Sequence, residues 1–296
     1  MLWIFIAFIE PILHAAANIF DNYFSNTLFN KISALSFFGA FTNILFLPLI
    51  FLFAHPSLPP LSLIPTLCAI GAIEVAYLYP YLKALQHGDT SVVAALFAVG
   101  KIFVPIFAYL IVHEKLQPVQ YVGFFIIILA SGLLSFDRKQ AFKFNHSFYY
   151  MIICSLLLSI EAVLYKYAFT DVSWATGFIW PTFISFIIVF LLLIIPRYRR
   201  DVVAHIPVFK NNFKLFALEE LITFGGSIGA TYSISQISVT MQNSISSFQP
   251  AFVLLYAVLL KRLFPKIFKE QIDQRAIIIK IFLFIIMLLG VILIVK

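Results

Sequence analysis

From Leu2 onward the chain alternates long apolar runs with short polar breaks. A run of about 20 mostly apolar residues is what an α-helix needs to cross a hydrocarbon core of about 30 Å. Within that core the backbone must satisfy its own hydrogen bonds, which selects helices over open sheets. The apolar runs predict ten transmembrane helices, near 2–21, 32–53, 61–83, 90–112, 119–136, 148–169, 174–195, 215–237, 240–262 and 276–295. Turn chemistry separates them: His-Pro-Ser-Leu-Pro-Pro at 55–60, His-Gly-Asp at 87–89, His-Glu-Lys-Leu-Gln-Pro at 113–118 and Arg-Tyr-Arg-Arg-Asp at 197–201. Pro59, Pro60 and Pro118 stand at or before a helix start, where a missing N–H costs little.

Composition removes the soluble alternative. Hydrophobic residues make up 62% of the 296, charged residues 11%, and the mean hydropathy is +1.01, whereas soluble domains run near half apolar and about a quarter charged. The ten spans and their turns leave no length for a separate soluble domain. The start is apolar, without a basic leader or an Ala-x-Ala-like cleavage site, and reads as a retained first helix. Cys68 and Cys154 sit inside apolar runs and read as packing residues, predicting neither a disulfide nor a metal site. The net charge of +7 changes the topology rather than the partner. Most of the 20 Lys and Arg fall in loops after odd-numbered spans: Lys31, Lys83, the stretch 138–143, the stretch 197–214 and the stretch 261–280. Loops after even-numbered spans hold essentially Lys115. The positive-inside rule then puts the basic loops in the cytoplasm and both termini outside.

The two halves resemble each other weakly. Each opens on a span with Ile-Glu at its middle (Ile9-Glu10 and Ile160-Glu161) and an aspartate further along (Asp21 and Asp171). Each closes on two apolar spans around a short polar joint. The expected fold is therefore all-α and integral to the membrane: a first five-helix repeat at 1–136, a basic connecting loop at 137–147 and a second five-helix repeat at 148–296. Five spans is an odd number, so the second copy enters the membrane upside down, as alternating access favours.

Ionisable groups in mid-membrane are costly, by at least about 2.5–3.5 kcal/mol, and each needs a reason. Glu10, Glu74, Lys101 and Glu161 stand well inside spans. Lys166, Glu219 and Glu220 lie nearer span ends and are expected to reach the interface. Glu10, His14 and Asn18 recur at i, i+4 and i+8, a polar stripe on one face of the first helix, with Asp21 or Asn22 below. That stripe faces the bundle interior, either as a hydrogen-bond ladder or as the wall of a solute path. Tyr77 and Tyr81 share a face with Glu74, and Tyr165 shares one with Glu161, an arrangement suited to accepting a cation. Lys101 either neutralises one of the glutamates or receives a carboxylate or phosphate of the solute. Asn243, Ser246, Ser247 and Pro250 make a small polar face that suits close helix packing or ligand hydrogen bonding. Trp180, beside Pro181, marks either a break exposing backbone carbonyls or an ordinary proline kink.

Enzyme signatures are absent. His113-Glu114 lacks the second histidine of a zinc-protease helix, and there is no Walker loop, Gly-x-Ser-x-Gly elbow or zinc-spaced cysteine pair. Asn145-His146-Ser147 fits a glycosylation acceptor, but its loop is expected on the cytoplasmic side.

Several stretches carry a resemblance. Lys83-Ala84-Leu85 ends the third span; the polar joint Gly88-Asp89-Thr90, an apolar span with Glu114 at its exit, and Gly123 and Gly132 follow; Pro250 lies in the ninth span. Over nearly its whole length the chain resembles the drug/metabolite transporter superfamily, in its EamA-like ten-span branch. Lys101 stands about where that family commonly has proline, and Lys261-Arg262 near where it often has an acidic residue. The resemblance implies cytoplasmic termini; the loop charges imply the opposite, and the expectation follows the charges. It also implies a secondary transporter of the plasma (bacterial inner) membrane. The excess of acid over base among the deep groups selects a small cationic or zwitterionic solute, such as an amino acid or amine, or proton coupling through a carboxylate. Neither a cofactor nor nucleic acid is expected, and the protein works as a monomer or homodimer. The alternatives are a flippase for a lipid-linked substrate and a non-transporting membrane scaffold.

Overall fold

The computed structural model describes residues 2–87, 93, 96–97, 100–134, 146–263 and 274–295. The joint Gly88-Asp89-Thr90, most of the connecting loop 137–147 with Asn145, and Lys266 and Lys269 lie outside the described residues. Among the described residues the secondary structure is helical, without a strand. Helix α1 (Leu2–Tyr23) runs on into a π-helical turn (Phe24–Leu28), and α2 (Ile32–Asn43) tightens into a 3₁₀ stretch (Ile44–Leu52) around Pro48. A 3₁₀ turn at Leu61–Leu63 feeds α3 (Ile64–Ala76), and α4 (Leu78–His87) follows after a bend at Tyr77. Then come α5 (Val104–Val112), α6 (Pro118–Leu134), α7 (His146–Ala168) and α8 (Trp174–Leu191). The chain ends in α9 (Pro196–Gln236), α10 (Val239–Ser246), α11 (Gln249–Leu263) and α12 (Gln274–Val295).

Among the described residues, five segments are long and apolar enough to cross a membrane: Trp3–Leu28, Ile32–Leu52, Leu61–His87, Ser147–Ala168 and Trp174–Ile194. Three apolar helices are shorter, at Lys101–Val112, Pro118–Leu133 and Ile281–Val295. Large apolar side chains such as Phe5, Phe51, Leu129 and Ile292 stand exposed on the outer faces, the arrangement expected where the surrounding solvent is lipid.

Two expected boundaries are corrected. The Arg-Tyr-Arg-Arg-Asp stretch at 197–201 is no break: it is the start of α9, a helix of 41 residues. Pro196 occupies the first turn, where its ring fits the helix. Val202, Phe209 and Phe216, spaced at i, i+7 and i+14, are buried on one face while Arg197, Arg199 and Arg200 stay exposed. The buried face stacks Phe209 on Phe38 of α2, with ring centroids 4.3 Å apart, and Phe216 on Phe24, at 4.8 Å. The charges thus occupy the wet side of a helix whose other side is packed. The expected ninth span, in turn, is two helices. α10 stops at Ser246, the chain turns through Ser247 and Phe248, and α11 resumes with Pro250 in its first turn, where no i→i−4 donor is required.

Small residues set the closest approaches. α9 lies against α1 along Gly225, Gly226 and Gly229; a Cβ added at Gly226 would stand 2.5 Å from His14 Cδ2, and one at Gly229 3.1 Å from the Ile9 Cβ. A side chain at either position would push the helices apart, as at small-residue crossings in membranes. Gly123 of α6 and Gly290 of α12 meet backbone to backbone in the same way. Further pairings of α3 with α8, α4 with α7 and α2 with α9 close the bundle.

Candidate functional site

Helices α1 to α4 and α7 to α10 surround an internal cavity of about 330 Å³. The polar stripe predicted on α1 faces it: Glu10, His14, Asn18 and Asp21 all line the wall. So do Glu74, Tyr77, Lys101, Glu161, Tyr165 and Asn243, leaving Trp180 as the one expected site residue outside the lining. The Trp180 indole N–H donates to the Ser57 carbonyl at 3.1 Å, tying α8 to the loop before α3. α8 continues through Pro181, so the proline sits inside an unbroken helix.

Glu10 is held from several sides. Gln242 Nε2 donates to one carboxylate oxygen and Ser246 Oγ to the other, while Lys101 Nζ donates to that same Ser246 hydroxyl. His14 Nδ1 stands 3.9 Å from Glu10 Oε1. Ser246, with its single proton turned to the carboxylate, relays the ammonium to Glu10. The sequence alternative in which Lys101 neutralises a glutamate is the one the geometry favours, and the small polar face of α10 supplies the bridge. α10 itself is anchored at its start: Glu114 accepts from the backbone N–H groups of Val239 at 2.9 Å and Thr240 at 3.1 Å, and Ser238 Oγ from Met241. A carboxylate there satisfies orphan amides and meets the positive end of the helix dipole.

A second group lies between α3 and α7. The Tyr165 hydroxyl donates to Glu74 Oε1 at 2.6 Å, and Tyr77 stands beside them in the wall. Glu161 joins from α7, and its Oε2 is buried without a hydrogen-bond partner. A third group joins α1, α4 and α9. The Tyr81 hydroxyl lies 2.8 Å from both Asn18 Oδ1 and Asp21 Oδ2. Glu219 and Glu220 lie close enough to Asp21 to feel its charge.

Glu219 and Glu220 correct an expectation. They do not reach the membrane interface: both are buried, at 3% and 8% exposure, and both line the cavity. Thr223 Oγ1 donates to Glu219 Oε1 at 2.8 Å, Asn43 Nδ2 to Glu220 Oε2 at 3.4 Å, and the Glu220 carboxylate fills the space a Cβ on Gly39 would take. Their depth follows from α9 beginning a full loop's length earlier than its apolarity suggests. Lys166, partly exposed near the end of α7, donates its ammonium to the carbonyls of Ile234 at 3.0 Å and Ile237 at 2.7 Å, closing the C-terminal end of α9. Thr182, Ser185 and Gln242 also line the cavity and carry no signal in the sequence beyond being polar in apolar runs.

Six carboxylates therefore line the cavity, Glu10, Asp21, Glu74, Glu161, Glu219 and Glu220, against one lysine and one histidine. Buried carboxylates in such excess must bind protons or cations, since uncompensated charge is costly in a medium of low dielectric.

No curated protein matches the chain. A solved structure described only as "Crystal structure of protein" superimposes with a TM-score of 0.62 at 14% identity, over 98% of this chain and 95% of that one. At that identity the likeness concerns the fold alone. Residues 1–136 match the model of the EamA-like transporter family. That match covers 136 of the 296 residues, and over them the chain is similar to the EamA-like transporters.

Proposed function

We propose that the protein is a secondary transporter that moves a small cationic or zwitterionic solute, such as an amine or amino acid, by alternating access. The observation that carries this reading is the cavity whose wall holds six carboxylates and one lysine. Glu74, Glu161, Tyr77 and Tyr165 receive the cationic group, by charge and by the faces of the aromatic rings. Asn18 and Asn243 supply hydrogen bonds to the rest of the solute, and a cavity carboxylate carries a coupling proton. Glu10, His14 and Lys101, with Ser246, hold α1 to α10.

The halves 1–136 and 148–296 act as inverted five-helix repeats joined by the basic stretch 137–147. Glu10 and Lys101 belong to the first half, Gln242 and Ser246 to the second, so this network ties the halves together on one side of the cavity. Opening that side requires it to part. The basic loops face the cytoplasm and both termini the outside of a plasma membrane of the bacterial inner type; the protein acts as a monomer or homodimer. Energy comes from a gradient or from exchange. The test is uptake of radiolabelled amines and amino acids into proteoliposomes. A Glu161→Gln variant that inserts and folds is expected to lose uptake of the transported solute; undiminished uptake would remove Glu161 from the site. Labelled phospholipid crossing the bilayer, with no soluble solute taken up, would favour the flippase alternative.

A further inference from the structure

Among the described residues, the cavity carboxylates with no lysine or arginine beside them fall into two groups, both within reach of Tyr77. Glu74 and Glu161 form the first, with Tyr165 donating to Glu74. Asp21, Glu219 and Glu220 form the second, with Tyr81. Tyr77 lies within electrostatic reach of Glu161, Glu74 and Asp21 alike, so the two groups share one cavity and one aromatic wall. Glu10 is outside this count, because Ser246, Gln242 and the Lys101 relay already occupy it.

An independent feature points to a ligand at the second group. Asn18 is 5% exposed and lines the cavity, and as oriented its Oδ1 faces the Tyr81 hydroxyl while its Nδ2 has no partner. Tyr81 has a single hydroxyl proton but stands 2.8 Å from both Asn18 and Asp21. That proton goes to the charged acceptor, Asp21, because charge-assisted hydrogen bonds are the stronger. Asn18 then satisfies itself by turning its N–H toward the phenol oxygen, since amide orientation is set by the hydrogen-bond network. The unpartnered atom becomes the amide oxygen, an acceptor beside three carboxylates. The first group repeats the pattern, for Glu161 Oε2 is likewise a buried acceptor without a donor. Neither group contains a lysine or arginine, and His14, the basic side chain within electrostatic reach of Asp21, stands 3.9 Å from Glu10.

We propose that the solute carries two cationic nitrogens, a linear diamine or a compound built on one, with one ammonium at Glu74–Glu161 and the other at Asp21–Asn18–Glu219–Glu220. This rests on the transport reading above and narrows it: Tyr77 and the apolar wall (Leu78, Leu82, Phe97) would line the alkyl segment between the two ends. Zwitterionic solutes are disfavoured by the same geometry, because the one cavity ammonium among the described residues is engaged through Ser246.

The test is thermal stability and equilibrium binding of the purified full chain in lipid nanodiscs, with putrescine and cadaverine against n-butylamine. The diamines are expected to raise the melting temperature and to bind about ten-fold or more tighter than the monoamine, the worth of one further charged hydrogen bond. In Glu220→Gln, and independently in Asp21→Asn, that diamine-to-monoamine ratio is expected to collapse toward unity. Equal binding of mono- and diamines by the parent protein would overturn the second subsite and leave the transport reading standing. Stabilisation by Mg²⁺ or Ca²⁺ in place of the diamines would overturn it in favour of a metal-ion subsite. If neither amine binds but a neutral or anionic metabolite does, the cationic reading itself fails, and this inference with it.

Discussion

Glu10 and Glu161 occupy matching Ile-Glu motifs near the middles of α1 and α7, yet their surroundings are opposite. Glu10 is clasped by Gln242 and Ser246 and reached by Lys101 through the serine. Glu161 keeps one buried oxygen with no donor. A motif that looks duplicated has therefore taken two jobs. Where the chain supplies donors and a counter-ion, the carboxylate is a fastening between helices; where it supplies neither, the missing donor has to come from a proton or a solute. The amino acid is the same in both, and what differs is the helix opposite: α10 presents Gln242 and Ser246 to Glu10, while α3 presents another carboxylate, Glu74, to Glu161.

The contrast can be broken most forcefully at its cation. Lys101→Met leaves Glu10 without compensation and is expected to destabilise the protein by about 3 kcal/mol, at the lower end for removing one member of a buried pair. Adding Glu10→Gln should restore most of that loss, because the double variant no longer buries a lone charge. Melting curves of the single and double variants in one detergent measure this, and additive losses would show that the two residues do not communicate. Glu161→Gln sits on the other side of the comparison. It should lower solute uptake by about 100-fold, near 2–3 kcal/mol of binding and transport free energy, without lowering the melting temperature.

Smaller effects sharpen the role of the scaffold. Gly226→Ala places a methyl against the His14 ring and should cost about 1–3 kcal/mol through overpacking of α1 on α9. Glu114→Ala removes the carboxylate that caps α10 and should cost about 1 kcal/mol, while loosening the helix that holds Glu10. Lys166→Met is expected to have the least effect, about 0.5–1 kcal/mol, because the ends of α9 retain their helical hydrogen bonds and lose only the side-chain donor.

Much of the bundle can be read from periodicity. The spacing of Glu10, His14 and Asn18 placed them on one face of α1, and the excess of acid over base among deep residues anticipated the character of the cavity. The breaks at 55–60 and 113–118 lie where proline and polar residues announced them, with His113 adopting a left-handed φ of 53° at the end of α5. What escaped was decided by packing across helices. α9 looked like a loop followed by a span because hydropathy averages its exposed arginines with the buried Val202, Phe209 and Phe216; only the presence of α2 reveals the buried face. With the start of that helix misplaced, Glu219 and Glu220 were set near an end instead of in the cavity. Tyr165 donating to Glu74, and Ser246 mediating between Lys101 and Glu10, join residues far apart in the chain and leave no local trace. Trp180 drew notice as a tryptophan beside a proline, but its indole serves a loop carbonyl and not the cavity.

The most direct measurement compares Glu161→Gln with Glu10→Gln for binding of a cationic amine and for melting temperature, in the same nanodisc preparation. The effects are expected to separate: Glu161→Gln loses amine binding and keeps its stability, while Glu10→Gln melts lower because Gln242 and Ser246 lose their charged acceptor and Lys101 its counter-ion. Glu161→Gln binding the amine as tightly as the parent would contradict the claim that the unpartnered carboxylates form the solute site.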